Sequence, residues 1–317
     1  MKLRQLEALQ AVAETGSLQE AARRLFVTQP AISRSIRELE SELGIALLVR
    51  SARGATLTPY AVRVLKRARA IHREVHRIIE DVEAIRGTLN GQLTLAMTPP
   101  ASSRALSEAL AELAASRPQA QLTVFEWRAQ QIAEGLREGT VDIGLFTQYR
   151  DPPTASFEWE KLYELDTVLT ISGNYTGPTT LSIDALHALP WLVLDSIDDV
   201  SSFIVTLFGE YAMPLPKRII RCSSINLYGE LSIRMPAVSI WTAPAVPLLQ
   251  PRFVDGTLKP LRLDGGTPRI GMYLAYPSED LLTATARDFT MLLRAKIGHA
   301  DVDGRLPAGI WHTFAKQ

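Results

Sequence analysis

Cysteine is almost absent from this sequence. Cys222 is the only one in 317 residues, so neither an intramolecular disulfide nor a cysteine-rich metal site can form. It lies in an apolar stretch, residues 219–222. We therefore expect a buried, unreactive thiol rather than a redox sensor.

Long apolar runs and enzyme motifs are also lacking. No run approaches the ~20 apolar residues that a membrane-spanning helix needs. Residues 1–5 have no apolar signal-peptide core, which predicts a cytoplasmic protein with no membrane partner. The five histidines are scattered, and the sequence has no P-loop, no Gly-x-Gly-x-x-Gly and no Gly-x-Ser-x-Gly. We expect neither catalysis nor a metal or other cofactor.

Net charge is zero, but the charge is unevenly distributed. Residues 1–86 contain 15 Lys and Arg against 10 Asp and Glu, and the remaining residues contain 19 against 24. A basic N-terminal region suits a polyanion such as DNA. With 46% hydrophobic and 21% charged residues, the chain has the composition of a folded protein, and its length predicts two or three domains.

Apolar residues at helical spacing predict two helices at the start of the chain. The first ends at Gly16, and the second covers about residues 18–25. Ser17 and Glu20 have the spacing of a capping box, in which each side chain binds the other residue's backbone N–H.

A third helix is predicted over residues 29–43, with Thr28 as its N-cap and Gly44 after its end. Two short helices, a tight turn and a third helix form a helix-turn-helix, whose last helix enters the DNA major groove with its N-terminal part. A solvated face on a small helical bundle is the alternative. The outward-facing positions are expected to be Gln29, Ser33, Arg34 and Arg37, and with Thr28 and Pro30 they form the predicted DNA-reading surface.

Two short apolar stretches around an Arg-Gly tip, residues 46–50 and 55–58, predict a hairpin. As a wing beside the helix-turn-helix, it would place Arg50 and Arg53 at the phosphate backbone or in the minor groove. An ordinary hairpin with surface arginines is the alternative.

This region resembles the LysR-type transcriptional regulators. The pattern is long and ordered, and its one departure is Leu48, where the family usually has Phe. The matching residues are Ala21, Ala22, Leu25, Thr28, Gln29, Pro30, Ala31, Ile32, Ser33, Ile36, Leu39, Glu40, Leu43, Gly44, Leu47, Arg50, Leu57, Thr58 and Pro59.

The resemblance implies an N-terminal winged helix-turn-helix, a long linker helix and a C-terminal α/β effector domain of two subdomains, like the periplasmic binding proteins. We expect the DNA-binding domain over residues 1–58 and the linker over 59–90. The effector domain covers 91–300, with subdomain I over about 91–161 and 268–300 and subdomain II over about 162–267. The tail, residues 301–317, has no interpretation.

The linker region has an unbroken heptad seam on a helix that Thr58 can cap. Charged residues flank the seam, so it needs a partner helix, most simply that of a second chain. Packing on the chain's own C-terminal domain is the alternative. The resemblance implies antiparallel pairing, often within tetramers. The seam positions are Val64, Ala68, Ile71, Val75, Ile78, Val82, Ile85 and Leu89.

Beyond residue 90, strands and helices alternate, which predicts parallel α/β sheets. Too many strands are present for one small sheet, so two subdomains are expected. The predicted strands are 93–97, 122–127, 141–146, 168–172, 191–194, 218–222, 238–242 and 271–276. The predicted helices are 104–116, 129–138, 183–189, 200–211, 225–234 and 279–297.

Ligands of open α/β sheets bind beyond the C-terminal ends of the strands, near helix N-termini. Hydroxyl residues occupy such positions here, and the resemblance implies an effector in the corresponding cleft. Helix capping explains any one of them equally well. Arg128 follows a predicted strand and could either bind an anionic effector or be an ordinary surface residue. Residues 235–238 differ from the glycine-rich run that the family usually has at this place. The predicted effector residues are Thr98, Ser102, Ser103, Arg128, Thr147, Ser202, Ser223 and Thr242.

These features together predict a sequence-specific DNA-binding transcriptional regulator that responds to a small molecule. The expected partners are double-stranded promoter DNA, a small-molecule effector and further copies of the chain, while RNA polymerase is left open. The alternative is a small-molecule binding protein without a gene-regulatory role, although such a protein would not need residues 1–90.

Overall fold

The computed structural model describes residues 1–51, 54–85, 91–152, 157–194 and 202–299. Within these ranges the helices are α1 (Leu3–Thr15), α2 (Leu18–Arg24), α3 (Gln29–Leu43), α4 (Pro59–Ile85), α5 (Arg104–Ser116), α6 (Ala129–Arg137), α7 (Ile183–Ala188), α8 (Phe203–Glu210), α9 (Ile225–Arg234), α10 (Val246–Val254) and α11 (Ala284–His299). The strands are β1 (Leu48–Ser51), β2 (Gly54–Leu57), β3 (Gln92–Met97), β4 (Gln121–Glu126), β5 (Ile143–Gln148), β6 (Glu158–Leu165), β7 (Thr167–Ser172), β8 (Thr180–Leu181), β9 (Trp191–Val193), β10 (Ile219–Arg221), β11 (Ser239–Thr242), β12 (Leu258–Leu263) and β13 (Ile270–Tyr276).

The first three helices pack around one apolar core, as the periodicity predicts. Leu9, Ile36 and Leu39 are fully buried in it. The predicted bounds of α3 are confirmed, and Gly44 ends the helix in the left-handed conformation, with φ of 68°. A glycine is favoured there because it has no Cβ to clash.

The predicted caps of α2 and α3 are only partly correct. Ser17 accepts hydrogen bonds from the N–H groups of Gln19 and Glu20, but the Glu20 side chain pairs with Arg23 at 2.8 Å instead of completing the capping box. Thr28 is the N-cap of α3, yet its side chain makes no capping hydrogen bond. Pro30 at N2 has no N–H to offer, and the N–H of Ala31 donates to the Thr28 backbone oxygen at 3.0 Å.

The predicted hairpin is present as β1 and β2, which pair antiparallel with Leu48 opposite Leu57. The Glu40 carboxylate of α3 accepts hydrogen bonds from the N–H groups of Leu47 and Leu48, at 2.8 and 3.1 Å. This carboxylate ties the hairpin to the third helix. Arg53 and the side chain of Arg50 lie outside the described residues.

The long helix α4 begins as predicted, because the Thr58 hydroxyl accepts a hydrogen bond from the Ala61 N–H at 3.1 Å. The start of its seam, however, is used within the chain. Ala68 is buried in the helix-turn-helix core together with Ala61 and Leu65, and Val64 packs against that core. The prediction that Ala68 faces another chain is therefore wrong, since it completes the core of its own domain, whereas the half-buried Val64 stays a predicted seam position.

Further along α4 the seam emerges from the core. Ile71, Ile78 and Val82 are exposed, Ile78 to 64%, and Val75 is half-buried. Leu89 and the side chain of Ile85 lie outside the described residues. Despite its length, α4 is too polar to cross a bilayer, and the other described helices likewise fail to qualify as membrane spans.

The effector region contains the two predicted sheets. Sheet I has the strand order β4-β3-β5-β13-β6, and sheet II has the order β11-β7-β12-β8. The parallel pair β9-β10 is joined to β11 by a bridge between Trp191 and Val238. Helices α5 and α11 cover one face of sheet I through a core that includes Leu113 and Phe289.

The expectation of purely parallel sheets is wrong. β3, β4 and β5 are parallel, but β13 runs antiparallel to β5 and β6, and β7 runs antiparallel to β11 and β12. The chain crosses from β6 to β7 and returns from β12 to β13. β7 and β13 start at the crossover, and each therefore runs antiparallel to the neighbouring strands that end there. The first crossing is at Asp166, later than the predicted boundary at 161–162.

Some elements were not predicted. β6 is an edge strand with charged residues along it, β8 is very short, and β12 contains Pro260. α10 contains Pro247 and Pro251, which ordinarily argue against a helix. Cys222 is buried, as expected.

Replacing Glu40 by Ala should loosen the wing, because two part-buried N–H groups lose their acceptor. We expect a loss of about 1–3 kcal/mol in the stability of the N-terminal domain and faster hydrogen exchange at residues 47 and 48. Native-state hydrogen exchange of the full chain measures both. Glu20→Ala, which removes an exposed pair with Arg23, is the matched control. Unchanged protection at residues 47 and 48 would contradict the tie.

Candidate DNA-binding surface and effector cleft

The N-terminal half of α3 presents a polar surface. Thr28, Gln29, Pro30, Arg34 and Arg37 are exposed, while the opposite side of the helix is buried in the core. The predicted surface therefore exists at these positions.

Ser33 is an exception. It is only 7% exposed and lies on the buried side, next to Ile32 and Ile36. The prediction that it points outward is wrong, because the apolar stripe of a helix in a globular core is wider than a narrow seam and includes adjacent positions. Its backbone oxygen accepts a hydrogen bond from Arg37 Nε at 3.2 Å.

The arginines of α3 differ from those of α2 in their partners. Arg23 and Arg24 pair with Glu20 and Glu14 at 2.8 and 2.7 Å. Among the described residues, neither Arg34 nor Arg37 forms an ion pair with a carboxylate. Their positive charge is available to a phosphate or to a base edge.

The effector cleft is positioned by the strand directions. β3, β5 and β6 end at the crossover side of sheet I, and β11 and β12 end at the crossover side of sheet II, where Thr242 lies opposite Thr167. Side chains that follow these strands are therefore brought towards one region between the sheets. This arrangement is the one that binds ligands in open α/β folds.

Two of the predicted effector residues contact each other. Thr98 Oγ1 accepts a hydrogen bond from the Thr147 N–H at 3.0 Å, and the two hydroxyls lie 2.9 Å apart. Ser103 caps α5 by accepting from the Leu106 N–H at 3.2 Å and bonds the Tyr163 hydroxyl. Burial raises the pKa of Tyr163, and the Ser103 hydrogen bond opposes that shift.

Ser202 lies at the start of α8 on the other side of the cleft. It is 2% exposed, and Thr206 one turn later is 3% exposed. Neither hydroxyl has a hydrogen-bond partner in the part of the chain that the structure describes. The neighbouring Phe203 ring contacts Tyr149, just beyond β5, with ring centroids 5.3 Å apart. α8 therefore faces the strand end that bears Thr147.

The other predicted effector residues are less closely grouped. Ser102 and Ser223 are exposed, and it is Ser224 that caps α9. Arg128 is exposed beyond β4. No contact described here joins Ser223, Thr242 or Arg128 to the Thr98–Thr147 pair.

A cavity of about 550 Å³ lies at the crossover between the sheets. None of the predicted effector residues lines it. Its lining residues are Asp166, Thr167, Leu169, Thr180, Leu261, Arg262, Leu263, Asp264, Gly265, Gly266 and Thr267.

Sequence reasoning missed the aromatic side chains that accompany the hydroxyls. Tyr163 bonds Ser103, and Phe203, which follows Ser202, contacts Tyr149. Tyr273 donates a hydrogen bond to Asp151 at 2.7 Å. Burial and the Asp151 charge raise the pKa of Tyr273. Tyr149 comes directly after β5, which ends at Gln148, and this position beyond a strand end could have identified it from the sequence.

Family comparisons decide the class of the protein. Residues 3–62 match the bacterial regulatory helix-turn-helix protein, lysR family, and residues 86–298 match the LysR substrate binding domain. The chain belongs to the LysR family. It is therefore a DNA-binding transcriptional regulator with a substrate-binding domain.

Individual LysR-family relatives are distant. The probable transcriptional regulator LrrA of Synechococcus elongatus is 37% identical over 46% of this chain and 49% of its own length. TdcA of Escherichia coli is 26% identical over 72% of this chain and 73% of its own length. Full-length CbnR in complex with its target DNA is 25% identical, with a TM-score of 0.65 over 93% of this chain and 100% of CbnR.

In this LysR-family chain the linker helix is tied to the effector domain by charge. Arg77 Nη2 lies 2.8 Å from Asp142 Oδ1, and Asp142 Oδ2 accepts from the Thr94 N–H at 2.8 Å. Hydrogen bonds and charges of Asp142 and Glu74 raise the pKa of Arg77, and burial opposes this. Lys66 and Glu138 form a second, more exposed pair at 2.6 Å.

A double-mutant cycle should separate these two ties. With Arg77→Met and Asp142→Asn we expect a coupling of about 1–3 kcal/mol, because both side chains are mostly buried. The Lys66→Met and Glu138→Gln cycle should give a much smaller value, since solvent screens that pair. Urea unfolding of the full-length protein measures both. Equal couplings in the two cycles would refute the special role of Arg77.

Proposed function

We propose that this LysR-family regulator reads its promoter with the exposed face of α3. The observation that carries the proposal is the pair of exposed arginines, Arg34 and Arg37, without carboxylate partners beside Gln29 on a helix fixed in a core. Gln suits adenine and Arg suits guanine in the major groove. Full-length CbnR, which is similar in fold, has been crystallised with its target DNA, and this supports DNA as the partner. Thr28, Pro30 and Ser33 then hold or flank the reading side chains.

The wing has a different task in this proposal. Arg50 and Arg53 contact phosphates or the minor groove, which contributes affinity and salt dependence rather than sequence preference. Glu40 sets the position of the wing relative to α3 through Leu47 and Leu48.

The exposed part of α4 serves self-association. Ile71, Ile78 and Val82 present apolar surface that a second α4 would cover. A dimer, or a tetramer of two dimers, places pairs of reading helices on related half-sites. The same proposal includes RNA polymerase as a partner. It also includes a cytoplasmic location and a purely regulatory role without catalysis.

The effector binds between the strand ends. The Thr98–Thr147 pair forms one wall, and the buried hydroxyl of Ser202, which has no hydrogen-bond partner among the described residues, forms the other. A small polar molecule with hydrogen-bonding groups fits this set. In this proposal Ser102, Ser103, Ser223 and Thr242 belong to the same cleft, and the exposed guanidinium of Arg128 favours an anionic effector.

The effector signal has a continuous route to the DNA reader. Thr147 lies near the cleft end of β5, and Asp142 just before the start of that strand binds Arg77 of α4. α4 in turn begins inside the helix-turn-helix core. A change in the angle between the sheets therefore reorients α4 and respaces paired readers.

Gln29→Ala and Arg37→Ala should each weaken specific DNA binding by about 1–3 kcal/mol, because each removes contacts to a base edge. Titration of the protein onto duplexes selected from a random pool measures this. Arg104→Ala, an exposed arginine of α5, is the matched control and should bind as the wild type does.

Ser33→Ala tests the buried position separately. Its loss of affinity should be smaller than that of Arg37→Ala, since the side chain faces the core. Selection of no consensus by the wild-type protein would contradict the proposed function itself.

Ser202→Ala should leave the free protein as stable as the wild type or more so, because it removes a buried hydroxyl that lacks a partner. The same change should reduce the rise in melting temperature that an effector causes. A thermal-shift screen of small carboxylates and amino acids, repeated on the variant, tests both. Ser182→Ala, which removes the cap of α7, is the control. An effector shift unaltered in Ser202→Ala would place the ligand elsewhere.

A further inference from the structure

Phe26 combines two features that are each unfavourable in a free protein. Its side chain is 96% exposed, more than any other large apolar side chain in the described chain. Its backbone has φ of +53°, a left-handed conformation that among the described non-glycine residues only Ala212 shares. A bulky residue in this region is a true outlier, because its Cβ comes too close to the following carbonyl oxygen.

The fold of the turn does not require a phenylalanine. The turn must be left-handed at residue 26, because the N–H of Phe26 donates to the Arg23 oxygen and the N–H of Val27 to the Ala22 oxygen. Gly or Asn would meet that requirement with less strain. At 96% exposure the ring makes almost no contact with the described part of its own domain. A strained residue that gains no compensating contact within its own domain points to a contact with a molecule outside the chain.

The position of the ring indicates the partner. Phe26 lies in the turn between α2 and α3, directly before Thr28, Gln29 and Pro30 at the exposed start of the reading helix. Val27 beside it is also exposed. The N-terminal part of such a helix enters the major groove, so the turn before it lies at the rim of the groove, where the sugars of one strand are presented.

We propose that Phe26 packs against a deoxyribose at the rim of the major groove and fixes how deeply α3 enters it. This inference rests on the proposed function, since it takes α3 as the reading helix. The contact is apolar and involves the sugar, so it adds affinity for DNA of any sequence and aligns Gln29 and Arg37 with the base edges.

The test uses the full-length protein and duplexes selected from a random pool by the wild type. Phe26→Asn and Phe26→Gly should lower DNA affinity about tenfold or more, the effect of losing the burial of one aromatic side chain. Their melting temperatures should be no lower than that of the wild type, because the backbone strain is relieved. Phe26→Tyr should retain affinity. A fall in stability together with affinity would indicate a merely structural role and overturn the proposal.

Ala212→Gly is the matched control, because Ala212 has the same φ of +53° in the effector domain. It should relieve strain without changing DNA affinity. The loss in Phe26→Asn should persist on scrambled duplexes, since every sequence presents the sugar, and should be larger on the selected duplexes, where Gln29 and Arg37 also lose their alignment. A loss that disappears when deoxyuridine replaces thymidine would overturn the sugar contact in favour of a thymine methyl.

The outcomes separate this inference from the proposed function. Normal affinity in Phe26→Asn, with reduced affinity in Arg37→Ala, would overturn the role of Phe26 alone and leave the ring for a protein partner. Normal affinity in all these variants would remove α3 as the reading helix.

Discussion

The shared core of α4 and the helix-turn-helix is the constraint on which the rest of the structure depends. Ala61, Leu65 and Ala68 are buried in the same cluster as Leu9, Ile36 and Leu39. A close-packed core transmits displacement rather than absorbing it. α4 is therefore rigidly attached to the helix-turn-helix, and α3 turns wherever α4 turns. The small residues Ala61 and Ala68 allow this close approach, while the larger apolar residues of the helix emerge further along, where they remain exposed to a partner.

The far end of α4 meets the effector domain through polar contacts instead. Arg77 and Asp142 form a mostly buried pair that also includes the Thr94 N–H. A buried pair of this kind contributes little net stability but is costly to break, so it specifies one arrangement of two bodies. Apolar packing therefore fixes one end of α4 to the helix-turn-helix. At its other end a directional charged pair holds the effector domain in a defined position, and this second attachment can separate.

Local elements could be predicted from the sequence, and long-range arrangement could not. The bounds of α3, α5 and α9 follow from periodicity and caps, and residues at the start of α3 are exposed as expected. Ser33 was misassigned because periodicity gives a direction but not the width of the buried stripe. The antiparallel direction of β13 could not be predicted from the sequence, because it depends on the two places where the chain crosses between the sheets. Ser202 and Thr98 were identified by their place at strand and helix ends, but the contact of Tyr149 with Phe203 that relates the two walls arises only from the packed fold.

The division of the core bears on how regulation can work. The reader has its own apolar cluster, which shares no residue with the clusters of either sheet. Among the described residues, an effector between the sheets therefore shares no apolar core with α3 through which it could reshape the face of that helix. It can act on the angle at which α4 leaves the effector domain, and thus on the spacing of two readers in an oligomer. In the proposed function, sequence preference lies in residues 28–37, whereas the effector changes only the spacing of two readers. One reader can then stay at its half-site while the other is repositioned, without any change in the bases that each recognises.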